Sequence, residues 1–141
     1  MVRQRCGLLT HYILTHRLGQ VYAAETGFLL EQDPDTVRAP DFAFIQASRV
    51  TPETTAPTWA PVIPDLVVEV VSTGDLETEV ASTTSMWLDA GVRLVWVVYP
   101  AGREIVVYVP DGATTLSDSE TLSGEEVVPG FTLPVAEVFG S

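Results

Sequence analysis

The string Pro64-Asp-Leu-Val-Val-Glu-Val-Val-Ser72 constrains this chain more than any other part of it. Its Val and Leu content is that of a central β-strand covered on both faces, yet Glu69 sits in its middle. Alternation sets Asp65, Val67, Glu69 and Val71 on one face and Leu66, Val68 and Val70 on the other. A carboxylate in such surroundings costs several kcal/mol in desolvation unless a proton, a cation or a metal neutralises it.

The residues that follow fix the neighbourhood of this strand. Ser72-Thr-Gly-Asp75 opens a helix, with Asp75 as its cap and Glu77 and Glu79 in the early turns, where the helix dipole favours negative charge. The helix runs to about Ala90 and stops at Gly91, with Leu76, Val80, Thr83, Thr84 and Trp87 on one side. Residues 93–99 are a second buried strand. Strand, helix and strand over 65–99 make a right-handed crossover, which requires parallel pairing of the two strands. The fold class is therefore α/β.

The rest of the chain is read around that unit. Residues 3–18 have a helical repeat through Leu8, Leu9, Tyr12 and Ile13, with a stop at Leu18-Gly19. Residues 20–31 alternate as a strand bent at Gly27, and Asp33-Pro34-Asp35 is a turn. A strand at 39–46 puts Asp41, Ala43 and Ile45 on one face, with Phe42 and Phe44 on the other. Residues 50–64, with four prolines and four threonines, read as a surface loop. A strand at 104–109, a hairpin at Asp111-Gly112, short strands near 114–122 and 124–128, a turn at 129–131 and a short helix or turn at 135–139 complete the chain. One domain over 1–141 is expected, built of a first helix at 3–18, a core at 20–109 and a C-terminal hairpin and turn at 110–141.

Composition limits the setting and the partners. No apolar run approaches the ~18 residues that cross a bilayer, so no membrane partner is expected. The start of the chain lacks a signal peptide pattern, and the single cysteine, Cys6, gives no internal disulfide, so the expected compartment is the cytoplasm. The first helix begins almost at Met1 without a capping residue, which points to a segment upstream. The net charge is −12, and all seven basic residues are arginine: Arg3, Arg5, Arg17, Arg38, Arg49, Arg93 and Arg103. Tight DNA binding draws on a basic stripe, so these scattered arginines would have to converge in space.

Asp41 and Glu69 could together hold one metal ion. Mg²⁺ takes hard oxygen ligands and keeps several waters, so two carboxylates and the backbone carbonyl of Val70 form a partial cage. A purely structural reading stands beside this one. Asp41 after Pro40 suits a strand-edge turn, Asp65 after Pro64 suits a strand start, and Glu69 could pair with Arg38 or Arg93. His11 and His16 are five apart, off the i,i+4 spacing that aims two imidazoles at one metal, and neither has a cysteine at ligand spacing. Trp87 and Trp96 lie in core-periodic elements, which leaves Trp59 in the loop as a candidate for base stacking.

The stretches Arg17-Leu-Gly-Gln-Val-Tyr, Ala24-Glu-Thr-Gly-Phe, Asp35-Thr-Val-Arg-Ala-Pro-Asp-Phe-Ala-Phe, Pro64-Asp-Leu-Val-Val-Glu-Val-Val-Ser, Trp87-Leu-Asp-Ala-Gly-Val-Arg-Leu-Val-Trp-Val-Val and Pro129-Gly-Phe-Thr-Leu-Pro resemble the Uma-type family of putative restriction endonucleases. That family is a branch of the PD-(D/E)xK nuclease superfamily, and the resemblance covers 17–139. It implies a restriction-endonuclease-like mixed sheet, with a parallel strand–helix–strand core flanked by helices, and a Mg²⁺-dependent DNA endonuclease. Mn²⁺ is the alternative ion. Asp41 and Glu69 match the motif carboxylates that hold the metal, and the lysine that attends the attacking water is displaced onto the following helix, at Thr83.

Threonine there cannot carry positive charge or act as a base near neutral pH. The nearest substitutes are Arg38 and Arg93, which stabilise charge but accept protons poorly, since the arginine pKa lies above about 12. The family also carries a hairpin and an acid before the first helix, for which Glu25 is the candidate replacement. The functional readings are thus a Mg²⁺-dependent DNA endonuclease, a pseudo-nuclease that keeps the fold and metal binding, and an interaction module that forms a homodimer through a sheet edge.

Overall fold

The computed structural model describes residues 2–23, 27–31, 36–50, 59–60 and 63–140. In chain order the elements are α1 (Val2–Thr15), β1 (Gly19–Ala23), β2 (Gly27–Glu31), β3 (Thr36–Arg38), β4 (Phe42–Gln46), a 3-10 turn (Ala47–Arg49), β5 (Trp59–Ala60), β6 (Leu66–Val70), α2 (Glu77–Ala90), β7 (Leu94–Tyr99), β8 (Glu104–Val109), β9 (Gly112–Leu116), β10 (Thr121–Ser123), β11 (Thr132–Pro134) and α3 (Val135–Phe139). The main sheet has six strands in the order β1-β4-β6-β7-β8-β9. β6 and β7 pair in parallel across α2, and the neighbouring pairs are antiparallel. Smaller sheets join β3-β2-β5 and β10-β11.

The alternation in the central strands sorts two cores. Phe42, Phe44, Leu66 and Val68 pack with Leu9 and Ile13 of α1 and with Val135, Val138 and Phe139 of α3. Ala43, Ile45, Val67, Val95 and Val97 pack on the other face with Trp87 of α2 and Phe28 of β2. Each large aliphatic side chain fully buried this way contributes about 1.5–3 kcal/mol. The site side chains lie on the α2 side of this sheet. Trp96 lies in the α1 core, and among the described residues its buried Nε1 has no hydrogen-bond partner.

α2 ends because Gly91 takes φ 109, a left-handed conformation that costs a residue with a Cβ roughly 1 kcal/mol or more. Its N–H returns to the Leu88 carbonyl, and the N–H of Val92 returns to that of Trp87. α1 ends earlier than its periodicity suggests. Arg17 takes φ 54 and the Leu18 N–H closes on the Ile13 carbonyl, so the helix stops at Thr15 rather than at 18. Gly19 serves packing instead, since a Cβ there would collide with the Ile45 carbonyl oxygen.

Several boundaries depart from the expected ones for identifiable reasons. The bent strand at 20–31 is two strands in different sheets. This separation lets Phe28 pack edge-on to Trp87, 6.4 Å between ring centroids, and to Tyr22, 5.5 Å. Asp75 does not cap α2: its carboxylate accepts the Ser72 N–H at 2.8 Å, and Leu76 takes the cap position. Leu76 therefore leaves the inward face and is 61% exposed. Residues 124–128 form a turn whose Val127 and Val128 N–H groups both return to the Gly124 carbonyl, and β10 pairs with β11 instead. The hairpin after β8 is present, but Pro110 and Asp111 turn it and Gly112 already pairs with Val109. The strands at 39–46 and 65–72 are shorter than expected, at Phe42–Gln46 and Leu66–Val70. No helix among the described residues is long and apolar enough to cross a membrane.

Candidate active site

The topology brings the two acidic strands together. β4 and β6 pair antiparallel with Phe42 opposite Val68, and one more step in that register sets Asp41 opposite Glu69. Both lie where the parallel pair β6 and β7 ends at its carboxyl edge, the edge at which open α/β sheets bind ligands.

Main-chain groups lock the two carboxylates into a reciprocal arrangement. The Val70 N–H donates to Asp41 Oδ2 at 2.7 Å. The Asp41 N–H in turn donates to the Glu69 carboxylate. A third donor comes from α2: the indole N–H of Trp87 meets Glu69 Oε2 at 2.9 Å. Even so, the Glu69 carboxyl is pushed up from 4.5 to about 7. Burial is the main cause, and the charges of Asp41 and Asp75 add to it, while the Trp87 and Asp41 hydrogen bonds pull the other way. Desolvation thus outweighs two donors.

A cavity of about 240 Å³ opens beside Glu69. It is lined by Glu69, Val70, Val71, Asp75, Glu79, Val80, Thr83 and Thr84, so three acids share its wall with no base. Thr83 therefore faces the same space as Glu69. Thr84 Oγ1 donates to the Val80 carbonyl at 2.8 Å, which turns its hydroxyl back onto the helix. Val70 lines the cavity, and its N–H is the group that holds Asp41. Among the described residues, no three His, Cys, Asp or Glu side chains converge as a metal cage. The donor set does suit a hard cation, because Mg²⁺ is commonly held by one or two carboxylates and completes its shell with water and phosphate oxygens.

Arg93 is not the substitute for the missing lysine. Its Nη2 lies 3.2 Å from Asp65 Oδ1, and Arg49 Nη1 lies 2.7 Å from the same atom. Asp65 immediately precedes β6, four residues before Glu69 and so roughly 13 Å from it along the chain. It is 2% exposed and also accepts the Gln46 N–H at 2.8 Å. Its role is to anchor Arg49, whose Nη2 reaches the Ile63 carbonyl, and Arg93 against the sheet. Because both arginine side chains are 40% or more exposed, they reach water when freed. Asp65→Ala should therefore lower stability by about 2 kcal/mol, short of the loss for a fully buried pair, with cation binding unchanged. Urea denaturation and a Mn²⁺ titration check the two parts.

The remaining candidates divide between the surface and the undescribed parts of the chain. His16 stacks on Tyr12 at 4.1 Å and its Nδ1 meets the Tyr12 carbonyl, while His11 lies near the Thr15 hydroxyl. Glu25 and the side chains of Arg38 and Trp59 lie outside the described residues. The Trp87–Glu69 hydrogen bond escapes sequence reading, because a tryptophan at a core-periodic helix position reads as packing alone.

Comparisons with known proteins bear on the family and the fold. The family model Uma2, described as putative restriction endonuclease, matches residues 3–136. The crystal structure of a putative nuclease belonging to DUF820 from Anabaena variabilis ATCC 29413 superposes with a TM-score of 0.81 at 16% identity, over 98% of this chain and 78% of that one. At that identity the likeness shows a shared fold. No curated protein sequence matches the chain.

Proposed function

Since the chain belongs to the Uma2 family of putative restriction endonucleases, we propose that it is a Mg²⁺-dependent endonuclease that hydrolyses phosphodiester bonds in DNA through Asp41 and Glu69, with Mn²⁺ as an alternative ion. The observation that carries this reading is the reciprocal lock between Asp41 and Glu69, of which Glu69 lines an acidic cavity. When bound there, a divalent ion supplies charge stabilisation for the phosphate and a more acidic water. The chain's own part is to aim the two carboxylates and to keep Glu69 partly dry. Thr83 stands where the family has its lysine, so turnover is slow. The reaction belongs in the cytoplasm, a setting that suits a chain with one cysteine, Cys6.

A net charge of −12 weakens duplex binding, and the two described arginines that converge are both tied to Asp65. With few basic groups left to neutralise phosphates, cleavage should fall only gently as salt rises. The test is cleavage of supercoiled plasmid at low salt with Mg²⁺ or Mn²⁺. Asp41→Ala and Glu69→Ala are each expected to remove the cation-dependent part of the rate while the protein stays folded. A rate that survives both substitutions refutes the assignment.

The acid-only wall around Thr83 also favours a second reading, a pseudo-nuclease that binds the cation and does not turn over. Saturable Mn²⁺ binding without cleavage under any of these conditions selects it.

A further inference from the structure

Trp87 is fully buried, yet its one polar atom does not end among apolar groups. The ring is held edge-on by Phe28 and packed against the sheet's α2-side core. That packing alone would bury it. Trp96 shows that this fold buries an indole N–H among the described residues without a partner. The contact from Trp87 Nε1 to Glu69 Oε2 at 2.9 Å is thus a directed one.

Its place on α2 gives it meaning. Trp87 follows Thr83 by four residues, so both side chains leave the same helix face. Thr83 lines the cavity as a neutral residue, and the polar contact from this face to Glu69 comes one turn later, from the indole. An indole N–H is a donor only. It can hold a carboxylate in place and favour its charged form, but it cannot take or give a proton in the reaction.

The geometry points to Trp87 as a positioning residue, whose indole N–H fixes the Glu69 carboxylate in the orientation that receives a divalent cation. This rests on the reading of Glu69 as a cation-binding carboxylate. Through the carboxylate, the indole senses the ion without touching it. Partners of this kind, hydrogen-bonded behind a metal ligand, typically change affinity by about 10- to 100-fold when removed.

The experiment pairs calorimetric Mn²⁺ titration with ¹H–¹⁵N spectra of the tryptophan indoles during Mg²⁺ titration. Trp59, Trp87 and Trp96 are told apart by substituting each in turn. In the unmodified protein the Trp87 indole signal is expected to move with saturating Mg²⁺ while that of Trp96 stays. Trp87→Phe, which keeps a ring and removes the donor, is expected to weaken Mn²⁺ binding about tenfold. Equal affinity in a folded Trp87→Phe protein overturns the positioning role and leaves the Glu69 reading intact. If that variant does not fold, an unmoved Trp87 indole at saturating Mg²⁺ overturns the role by itself. No Mn²⁺ binding by the unmodified protein overturns both.

Discussion

Thr83→Lys should raise the Mg²⁺-dependent rate of DNA cleavage by about 10²-fold or more. Removing one well-placed charge-stabilising group from an active site costs about 10²–10³ in rate, and general acid–base groups contribute on a similar scale. Restoring such a group recovers that range only if everything else is in place. Thr83 already lines the cavity with Glu69, so the helix aims the new side chain without backbone movement. The wall contributes Glu69, Asp75 and Glu79, three acids that welcome an ammonium group. Lysine is also the better helix former by a few tenths of a kcal/mol, so the fold should tolerate it. A new positive charge near Glu69 should lower that carboxyl from its value of about 7. Initial rates of plasmid nicking, with Thr83→Met as a control for size, measure the effect. If the rate with lysine equals that with methionine, the deficit lies elsewhere than at this position.

The difference between what could and could not be read from the sequence follows one physical line. Period-two alternation is a local property, so the faces of β4 and β6, the parallel crossover through α2 and the side on which Asp41 and Glu69 lie were all legible. The partners of the charged side chains were not. Arg93 immediately precedes β7, and only the parallel register, Leu66 opposite Leu94, shows that it meets Asp65 rather than Glu69. The same holds for Asp75, where a cap and a turn-closing carboxylate share one sequence signal and geometry chooses the turn. The Val127-Val128 pair is buried like a strand but is folded as a turn, because burial does not require a ladder. What the sequence hides at the site is the cost imposed on Glu69, which depends on how deeply the surrounding side chains close over it.

That cost gives the second large effect, a stability that falls with rising pH and is relieved by one substitution. Glu69 titrates at about 7 in the folded protein against 4.5 for the free side chain. Between those values the folded state holds more protons than the unfolded one, so stability declines as pH rises. Glu69's contribution is fully present below about pH 4.5, is lost through pH 7, and stays absent above it. At 1.36 kcal/mol per pH unit the loss is about 3 kcal/mol. Glu69→Gln cannot ionise and keeps an oxygen for the Trp87 N–H. It should therefore stabilise the protein at pH 8 by about 2 kcal/mol, which is roughly 5 °C or more in Tm, and add little at pH 4.5. A bound cation removes the same penalty by a different route, since a ligand that binds only the folded state raises its stability. Millimolar Mg²⁺ at pH 8 should thus raise the Tm of the unmodified protein and leave Glu69→Gln unmoved. Thermal melts at both pH values, with and without Mg²⁺, give four numbers. A Glu69→Gln protein less stable than its parent at pH 8 would show that Glu69 is held charged by its two donors at no net cost, and that the acidic cavity is not strained toward a cation.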